Sequence, residues 1–402
     1  MPVRFAEKGR TFEHEGNEMK KVLLASTALA MTAGMAAAQG VSLSGYAEIG
    51  VKDNDVDTVF HHDLDVTFTL SGETDSGLQF GATIDLDELD NQATAGDIGS
   101  ESGAHSVFVS GSFGKITMGD TDGALDWAMN EVGFGTSIAD DHTTHAGFNG
   151  NSGLDGGLDG QVARYEYSFG DFAFAISAEI GADTADNVTG FGITATGSAL
   201  TTAVYDPDEI LGIAFKYSTD LGGVDMDFGL GFQSGAYDFA TSVSTVGGTS
   251  TLGVTLVGDA DVWGASVTAD FDGGFSVVLN YMNLDGDLAG VVTSVASSFA
   301  SVNAAAAILG FGGTGGTIEW DHYGIGVAYA VDNWIIEANY GKYDADVTLG
   351  TASTSVEADG FGLAFNYDLG GGAVIMVGYG SGESFGSTTS VDTWSAGLGL
   401  SF

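Results

Sequence analysis

The sequence lacks cysteine and has few basic residues: 402 residues include no Cys, 2 Pro and 10 Lys or Arg, against 55 Asp or Glu. The absence of cysteine excludes a disulfide scaffold and a thiolate metal site. A net charge of −45, with no basic patch to offset it, excludes nucleic acid as a partner. After the first 38 residues, no apolar run approaches the about 20 residues that a membrane-spanning helix needs.

Aromatic residues and glycine are abundant instead. The 25 Phe, 13 Tyr and 5 Trp are too many for a disordered acidic chain, so the protein folds and places large rings in a core or in lipid. The 64 Gly follow no Gly-X-Y period, which excludes collagen and suits many tight turns.

The N-terminal region has the pattern of a secretory signal peptide over residues 19–38. A basic Met19–Lys21 precedes the apolar stretch Val22–Ala36, and small residues end it, which predicts cleavage between Ala38 and Gln39. The alternative is an uncleaved anchor. Residues 1–18 are interpreted as an upstream extension from a misassigned start codon. Residues 39–402 are then the mature chain and form a single domain.

Period-two alternation of apolar and polar residues dominates this domain. Leu64, Val66, Phe68 and Leu70, for example, alternate with aspartate and threonine, which is typical of a strand with one apolar face. Short Asp/Gly/Asn turns alternate along the chain with longer polar connections. The pattern predicts sixteen strands: 41–52, 62–73, 77–88, 104–112, 113–120, 161–169, 171–182, 210–219, 224–236, 260–271, 274–285, 317–330, 333–345, 355–368, 372–383 and 391–402.

The chain ends on such a strand, Trp394–Phe402, with the aromatic Phe402 last. An even number of amphipathic strands with alternating short and long connections predicts an all-β, transmembrane, sixteen-stranded antiparallel β-barrel, because lipid does not tolerate open sheet edges. The longest connection, about 121–160, is called loop three here. We expect it to fold into the lumen as a constriction loop; the alternative is an exposed outer loop.

Three segments carry a family resemblance: Val41–Val51, Phe68–Ala82 and Val107–Asp120. Together they resemble the general porins of alphaproteobacteria, the Rhodobacter type. The resemblance implies an outer-membrane homotrimer among lipopolysaccharide, a water-filled pore in each barrel, and acidic residues of loop three facing a basic wall. It also implies that the strand ending in Phe402 is the signal read by the barrel-assembly machinery.

The sequence departs from this pattern in its basic residues. The mature chain has only five: Lys52, Lys115, Arg164, Lys216 and Lys342. Arg164 is the best candidate for a remaining basic wall residue. It shares a predicted strand face with Glu166, so a simple ion pair with Glu166 or with a loop carboxylate is an equal alternative.

Carboxylates are therefore expected to dominate the pore, which predicts a preference for cations. The alternative is that much of the charge only solvates outer loops. The candidate lining residues are Glu48, Lys52, Asp63, Asp65, Asp85, Asp87, Asp120, Asp122, Asp126, Glu131, Asp140, Asp141, Arg164 and Glu166.

Two metal sites are conceivable, although no cofactor is required. Asp53, Asp55 and Asp57 could bind Ca²⁺, but their spacing is not that of an EF-hand. In 140–145, His142 and His145 lie beside carboxylates, but exposed polar residues are the favoured interpretation there.

No arrangement of residues supports catalysis, so an enzyme is not expected. The predicted function is passive diffusion of small hydrophilic solutes and ions through an outer-membrane pore. The alternatives are a substrate-specific outer-membrane channel and, from another class, a secreted Ca²⁺-binding β-solenoid. Aromatic girdles on the lipid side are expected from the following residues: Trp263, Trp320, Trp334, Trp394, Tyr281, Tyr329, Tyr340, Tyr367 and Tyr379.

Overall fold

A computed structural model of the protein describes most of the predicted domain. Within this part of the chain, no helix is long and apolar enough to cross a membrane. The described residues are 40–53, 57–87, 105–139, 145–158, 161–180, 189–194, 197–202, 209–244, 251–295, 316–349 and 352–402.

Sixteen antiparallel strands close into a barrel, which confirms the predicted fold. Each strand pairs with its neighbours along the chain, and the last strand pairs with the first. The closed barrel excludes a β-solenoid. The barrel strands are β1 (Gly40–Asp53), β2 (Thr58–Glu73), β3 (Gln79–Asp87), β4 (His105–Gly111), β5 (Gly114–Gly119), β6 (Val162–Phe169), β7 (Phe172–Glu179), β10 (Ile210–Asp220), β11 (Val224–Ser244), β12 (Thr251–Phe271), β13 (Phe275–Val295), β14 (Gly316–Val331), β15 (Trp334–Leu349), β16 (Ala352–Gly370), β17 (Ala373–Glu383) and β18 (Val391–Ser401).

The two faces of the wall follow from register. Leu70 lies opposite Ala82 on the outside, whereas Thr67 lies opposite Asp85 on the inside and donates a hydrogen bond to it over 3.0 Å. Large apolar side chains such as Leu43, Phe215 and Leu363 are exposed on the outer face. In a soluble protein these side chains would be buried, so the outer face is built to meet lipid.

Seven turns of two to five residues connect barrel strands at one end of the barrel. The expectation that the connections at the other end are longer is wrong in two places. Only residues 350 and 351 separate β15 from β16, and four residues separate β1 from β2. The strands continue past the point where the apolar alternation fades, because cross-strand hydrogen bonding needs no apolar face.

A second correction concerns the connection between β7 and β10. Sequence periodicity indicated no strand there, yet β8 (Thr189–Thr194) and β9 (Gly197–Thr202) form a separate two-stranded sheet, and β8 approaches β13. The local Gly and Thr content hides the alternation that marks the other strands.

The chain end closes the barrel. The backbone of Phe402 exchanges hydrogen bonds with Gly45 of β1, over 2.8 Å from the Phe402 N–H and 3.3 Å to its carbonyl. Its side chain is 74% exposed on the outer face, next to the apolar side chains of β1. The terminal aromatic is therefore part of both the seam and the lipid-facing surface.

Aromatic rings cluster on the outside of β12, β13 and β14, where Trp263, Tyr281 and Tyr323 follow one another at centroid distances of 4.9 and 5.2 Å. This agrees with an aromatic girdle. Trp320 was assigned to the same surface, and that assignment is wrong. Its even position in β14 points it inward, where it packs against Tyr343 with the ring centroids 5.4 Å apart.

Candidate functional site: a loop bound to the inner wall

The described parts of loop three, residues 121–139 and 145–158, lie inside the barrel along its inner wall. They begin after β5 and contain a short helix, α1 (Ala124–Ala128), which packs against β7, β10 and β11. Further along, Ile138 is fully buried against Gly50 of β1 and Gly397 of β18. The loop therefore follows the wall from β7 around to the seam at β1.

Three buried glutamates of the wall accept hydrogen bonds from the loop backbone. Glu179 of β7 accepts the N–H groups of Gly156, over 2.9 Å to Oε2, and of Leu158, over 3.0 Å to Oε1. Glu48 of β1 accepts the N–H of Ala139 on Oε2 over 2.6 Å. These carboxylates supply acceptors that an irregular loop backbone cannot find in itself.

The third glutamate, Glu337 of β15, contacts the loop near its middle. Its Oε2 accepts the N–H of Phe134 and the N–H of Gly135, the second over 2.5 Å. On the next strand, Asn366 binds both backbone groups of Thr136. Its Oδ1 accepts the N–H over 3.1 Å, and its Nδ2 donates to the carbonyl over 2.6 Å.

Neutral side chains complete the attachment. They contact the loop through hydrogen bonds of 2.8 to 3.0 Å: Ser177 with Ala124, Ser266 with Asn130, Gln233 with Leu154, Asn280 with Asn130 and Asn151, Asn339 with His145, and His322 with Gly147. Side chains of β7, of β11 to β16 and of β1 thus bind parts of the loop.

An apolar cluster lies between the loop and the wall. Leu125, Met129 and Leu154 of the loop pack on buried side chains of the inner faces of β10, β12, β13 and β14, among them Val262 and Met282. At these positions the strands carry apolar side chains on both faces, and the simple alternation of a barrel strand breaks down. That break is a signal in the sequence for the docking position of the loop.

Charged side chains gather beside β5 and β6, the two strands that loop three connects. The Arg164 guanidinium lies 3.4 Å from Glu166 and 3.7 Å from Asp122, and it donates a hydrogen bond of 2.5 Å to the Asp122 carbonyl. Lys115 of β5 lies 3.4 Å from the same Glu166. Arg164 and Glu166 lie on the same inner face of β6, and Arg164 makes ion pairs with both Glu166 and Asp122.

Lys216 of β10 also faces this region. Its ammonium lies 4.3 Å from the ring centroid of Trp127 in α1, a cation–π distance. Three of the five basic side chains of residues 39–402, Lys115, Arg164 and Lys216, are therefore paired with a carboxylate or an aromatic ring in one corner of the lumen.

Three loop carboxyls in this corner, of Asp126, Glu131 and Asp155, have pKa values that burial raises. Burial, then the negative charges of Asp122 and Asp155, raises the pKa of Asp126 to about 7. Burial also raises the pKa of Asp155 to about 6, against the hydrogen bonds it accepts from the Gly123 N–H and the Gln233 amide. Asp126 and Asp155 therefore change charge near neutral pH.

The remaining candidate residues are distributed as follows. Asp63, Asp65 and Asp85 are half-buried on the inner face of β2 and β3, and Asp120, Asp122 and Glu131 are exposed. Lys52 is half-buried near the end of β1. Asp140, Asp141, His142, Asp55 and the side chain of Asp87 lie outside the described residues.

The metal candidates receive no support from the described geometry. Among the described residues, no group of three or more His, Cys, Asp or Glu could hold a metal ion. Asp53 accepts a hydrogen bond of 2.6 Å from Thr58, and Asp57 is exposed. His145 binds Asn339, and burial lowers the pKa of its imidazole.

Sequence reasoning missed three side chains that matter here: Glu337, Asn366 and Asp155. Glu337 and Asn366 are single polar residues on inner faces, and the sequence does not distinguish them from wall residues that contact water. Asp155 was one of several acids in a Gly-rich stretch. Glu179 was placed on the inner face, but its hydrogen bonds to the loop were not predicted.

A closed barrel of sixteen strands, apolar outside and carrying a long loop bound to its inner wall, defines the class of outer-membrane porins. A sequence profile of Gram-negative porins matches residues 25–386. The chain therefore belongs to the Gram-negative porin family. It is an outer-membrane channel protein and not an enzyme.

Two curated porins are similar in sequence. The chain is 40% identical to a porin of Rhodobacter capsulatus over 146 residues, which cover 35% of this chain and 45% of the relative. It is 28% identical to a porin of Fuscovulum blasticum over 242 residues, which cover 54% of this chain and 79% of the relative. The better conserved match thus spans less than half of the Rhodobacter protein.

Solved structures share the fold. A porin structure refined at 1.8 Å resolution aligns with a TM-score of 0.54 at 23% identity, covering 90% of this chain and 100% of the other. OmpT, an outer-membrane protein of Vibrio cholerae, aligns with a TM-score of 0.58 at 13% identity, covering 91% and 98%. At these identities the likeness concerns the fold alone.

Proposed function

We propose that the protein forms a water-filled channel for passive diffusion of small hydrophilic solutes and ions, with a preference for cations. The observation that carries the proposal is the charge balance of the corner where loop three meets β5, β6 and β10. Five carboxyl groups lie there and affect one another's charge or form ion pairs with Arg164. They belong to Asp122, Asp126, Glu131, Asp155 and Glu166. Three cationic side chains, of Lys115, Arg164 and Lys216, oppose them.

Excess negative charge in a narrow passage raises the local concentration of cations and repels anions. The effect is strongest within a Debye length, about 8 Å at physiological salt. Glu166 is shared by two cations, so it adds little net field. Asp122 is exposed but lies 3.7 Å from Arg164, so the exposed Glu131 contributes more of the uncompensated negative charge.

The water passage runs, in this proposal, between loop three and the inner faces of β2 to β5. The described contacts of the loop follow the wall from β7 around to β1, which supports this placement. The inner faces of β2 and β3 carry Asp63, Asp65 and Asp85, half-buried and on the luminal side. Loop three would then narrow the lumen to the space beside these carboxylates.

The assembled form is proposed to be a homotrimer in contact with lipopolysaccharide, inserted by the barrel-assembly machinery. One structural neighbour, OmpT of Vibrio cholerae, is described in a trimer form. Residues 19–38 are proposed to be removed on export, which leaves residues 39–402. N-terminal sequencing of the membrane-extracted protein should begin at Gln39, and chemical cross-linking in detergent should give a trimer.

Reconstitution tests the proposal. In liposomes, the purified protein should admit small sugars at rates that fall smoothly with sugar size, as a general channel does. The alternative, a substrate-specific channel, requires one solute to enter faster than its size allows. Bound Ca²⁺ at Asp53, Asp55 and Asp57 stays a separate proposal. Titration calorimetry with Ca²⁺ tests it, with Asp53→Asn as the comparison variant.

A further inference from the structure

Glu48, Glu179 and Glu337 have features that a pore-lining acid would not have. All three are on the inner face of the wall, yet they are only 2%, 1% and 2% exposed, because loop three covers them. A carboxylate so covered touches the loop backbone and contributes little to the field that a permeating ion meets.

We infer that Glu48, Glu179 and Glu337 are positioning residues: their oxygens bind backbone N–H groups of loop three and fix where the loop lies in the lumen. The inference rests on the proposed function, because a fixed loop matters only if it bounds a pore. The inference differs from the proposed function in the role of these three glutamates, which is to accept hydrogen bonds and not to select ions.

The three residues hold separate parts of the loop. Glu337 binds residues 134 and 135, Glu48 binds residue 139, and Glu179 binds residues 156 and 158. A carboxylate can only accept, and backbone N–H groups can only donate, so the pairing has one possible direction. The two methylene groups of glutamate let a strand residue reach the loop backbone from the wall.

The use of individual oxygens differs between the sites, and this difference makes the inference testable. At Glu337 both loop donors bind Oε2, and Oε1 accepts no hydrogen bond from the described residues. Glutamine can therefore place its carbonyl oxygen at the Oε2 position and keep both bonds. At Glu179 each oxygen accepts one N–H, so glutamine must set an NH₂ group against a donor.

Glu48, on β1 at the seam with β18, also binds side chains of the wall. Its Oε1 accepts the Tyr46 hydroxyl over 2.9 Å, and its Oε2 lies 3.0 Å from the His61 ring nitrogen. Because these partners come from β1 and β2, Glu48 links the loop to the strands next to the proposed passage. Substitution there would disturb the wall as well as the loop, so Glu337 is the better test.

The experiment uses the natural lack of cysteine. Ser137 is completely buried, two residues after the donors that bind Glu337. A Ser137→Cys protein, in detergent, is treated with a methanethiosulfonate reagent, and the labelling rate is measured. The rate reports how often this part of the loop leaves the wall, independently of whether the pore conducts.

In this background, Glu337→Ala should label about tenfold faster or more, because two buried N–H groups lose their acceptor. Glu337→Gln should label within about twofold of the parent, since its carbonyl keeps both bonds. Glu319→Ala is the matched control, because Glu319 is exposed on the outer face of β14. It should not change the rate.

Asn366→Ala is a second test in case Glu337→Ala does not fold. It removes the neighbouring attachment at Thr136 and should also accelerate labelling. Heat-modifiable migration on gels identifies the folded barrels. The inference is overturned if the folded alanine variants label at the parent rate. It is also overturned if Glu337→Gln labels as fast as Glu337→Ala, since charge and not the acceptor would then hold the loop.

Single-channel recordings separate this inference from the proposed function. Glu337→Ala should change the conductance and increase open-channel noise, whereas Glu337→Gln should leave the reversal potential unchanged. If the parent protein forms no channel, the proposed function fails, while the labelling result still decides how the loop is held.

Discussion

Gly147 of loop three and Gly341 of β15 meet backbone to backbone. A Cβ atom added to Gly341 would overlap the carbonyl oxygen of Gly147, and one added to Gly147 would overlap the carbonyl oxygen of Gly341. The same Gly147 carbonyl accepts a hydrogen bond of 3.0 Å from His322 of β14. The loop therefore approaches the wall more closely than any residue larger than glycine permits.

Substitution of Gly341 by alanine should displace loop three. The added methyl group has no flexible side chain to push aside, so overpacking should cost about 1–3 kcal/mol and shift the loop. We expect an altered single-channel conductance with a barrel that still migrates as folded. Gly133→Ala is the control, because a Cβ there meets nothing within 4 Å. A Gly341→Ala channel indistinguishable from the parent would show that the loop does not bound the pore.

Ion selectivity should depend on pH. Asp126, with a pKa of about 7, and Asp155, with a pKa of about 6, are mostly protonated at pH 5 and mostly ionised at pH 8. The lumen therefore gains negative charge as the pH rises, and the preference for cations should increase between pH 5 and pH 8. Reversal potentials in a KCl gradient measure this. Asp126→Asn should flatten the dependence, and a preference that falls with rising pH would refute the assignment.

Removal of a positively charged side chain from the lumen should increase the preference of the channel for permeating cations. Lys115 faces the lumen beside Glu166, whereas Lys342 lies on the outer face with Asp344 and Glu357 at 2.7 and 3.3 Å. Lys115→Gln removes one of the two cationic partners of Glu166 and makes the lumen more negative by one charge, so the reversal potential should shift toward that of potassium. Lys342→Gln makes the same chemical change outside the barrel and should not shift it. Equal shifts of the reversal potential in the two variants would show that the charge at Lys115 does not contribute to selectivity from inside the lumen.

Deletion of Phe402 should impair assembly more than conduction. The residue is exposed at the seam, where its backbone pairs with Gly45, and the family resemblance gives the terminal strand a role in insertion. We expect less folded protein in the outer membrane but normal conductance of the molecules that fold. Phe113→Ala, which removes an exposed aromatic from the β4–β5 turn, is the comparison. Unchanged amounts of folded protein would contradict this role.

The barrel could be predicted from the sequence because its cause is local. Alternation of the kind seen at Leu64 to Leu70 fixes which face of a strand meets lipid, and turn residues such as Asp332 and Asn333 mark the reversals. Strand ends were less predictable. Where β11, β12 and β13 extend to 21 residues, pairing continues without an apolar face to indicate it.

The site was less predictable because it depends on contacts between distant residues. Glu48 was expected on the luminal side and lies there, but its cover, the backbone of Ala139, is 91 residues away. Glu337 and Phe134 are 203 residues apart. Alternation shows that a side chain faces inward, but only the path of loop three decides whether it meets water or a backbone N–H.

The central claim is a pore whose negative charge selects cations, and the reversal potential of the reconstituted protein tests it most directly. In a planar bilayer between 0.1 and 1 M KCl (a gradient of roughly tenfold), at pH 8, a luminal potential of about one RT per unit charge gives a roughly sevenfold preference for K⁺ over Cl⁻. The account predicts a potential of the sign that cation selectivity gives, weakened at pH 5. A potential of the opposite sign, or one near zero at both pH values, would contradict it.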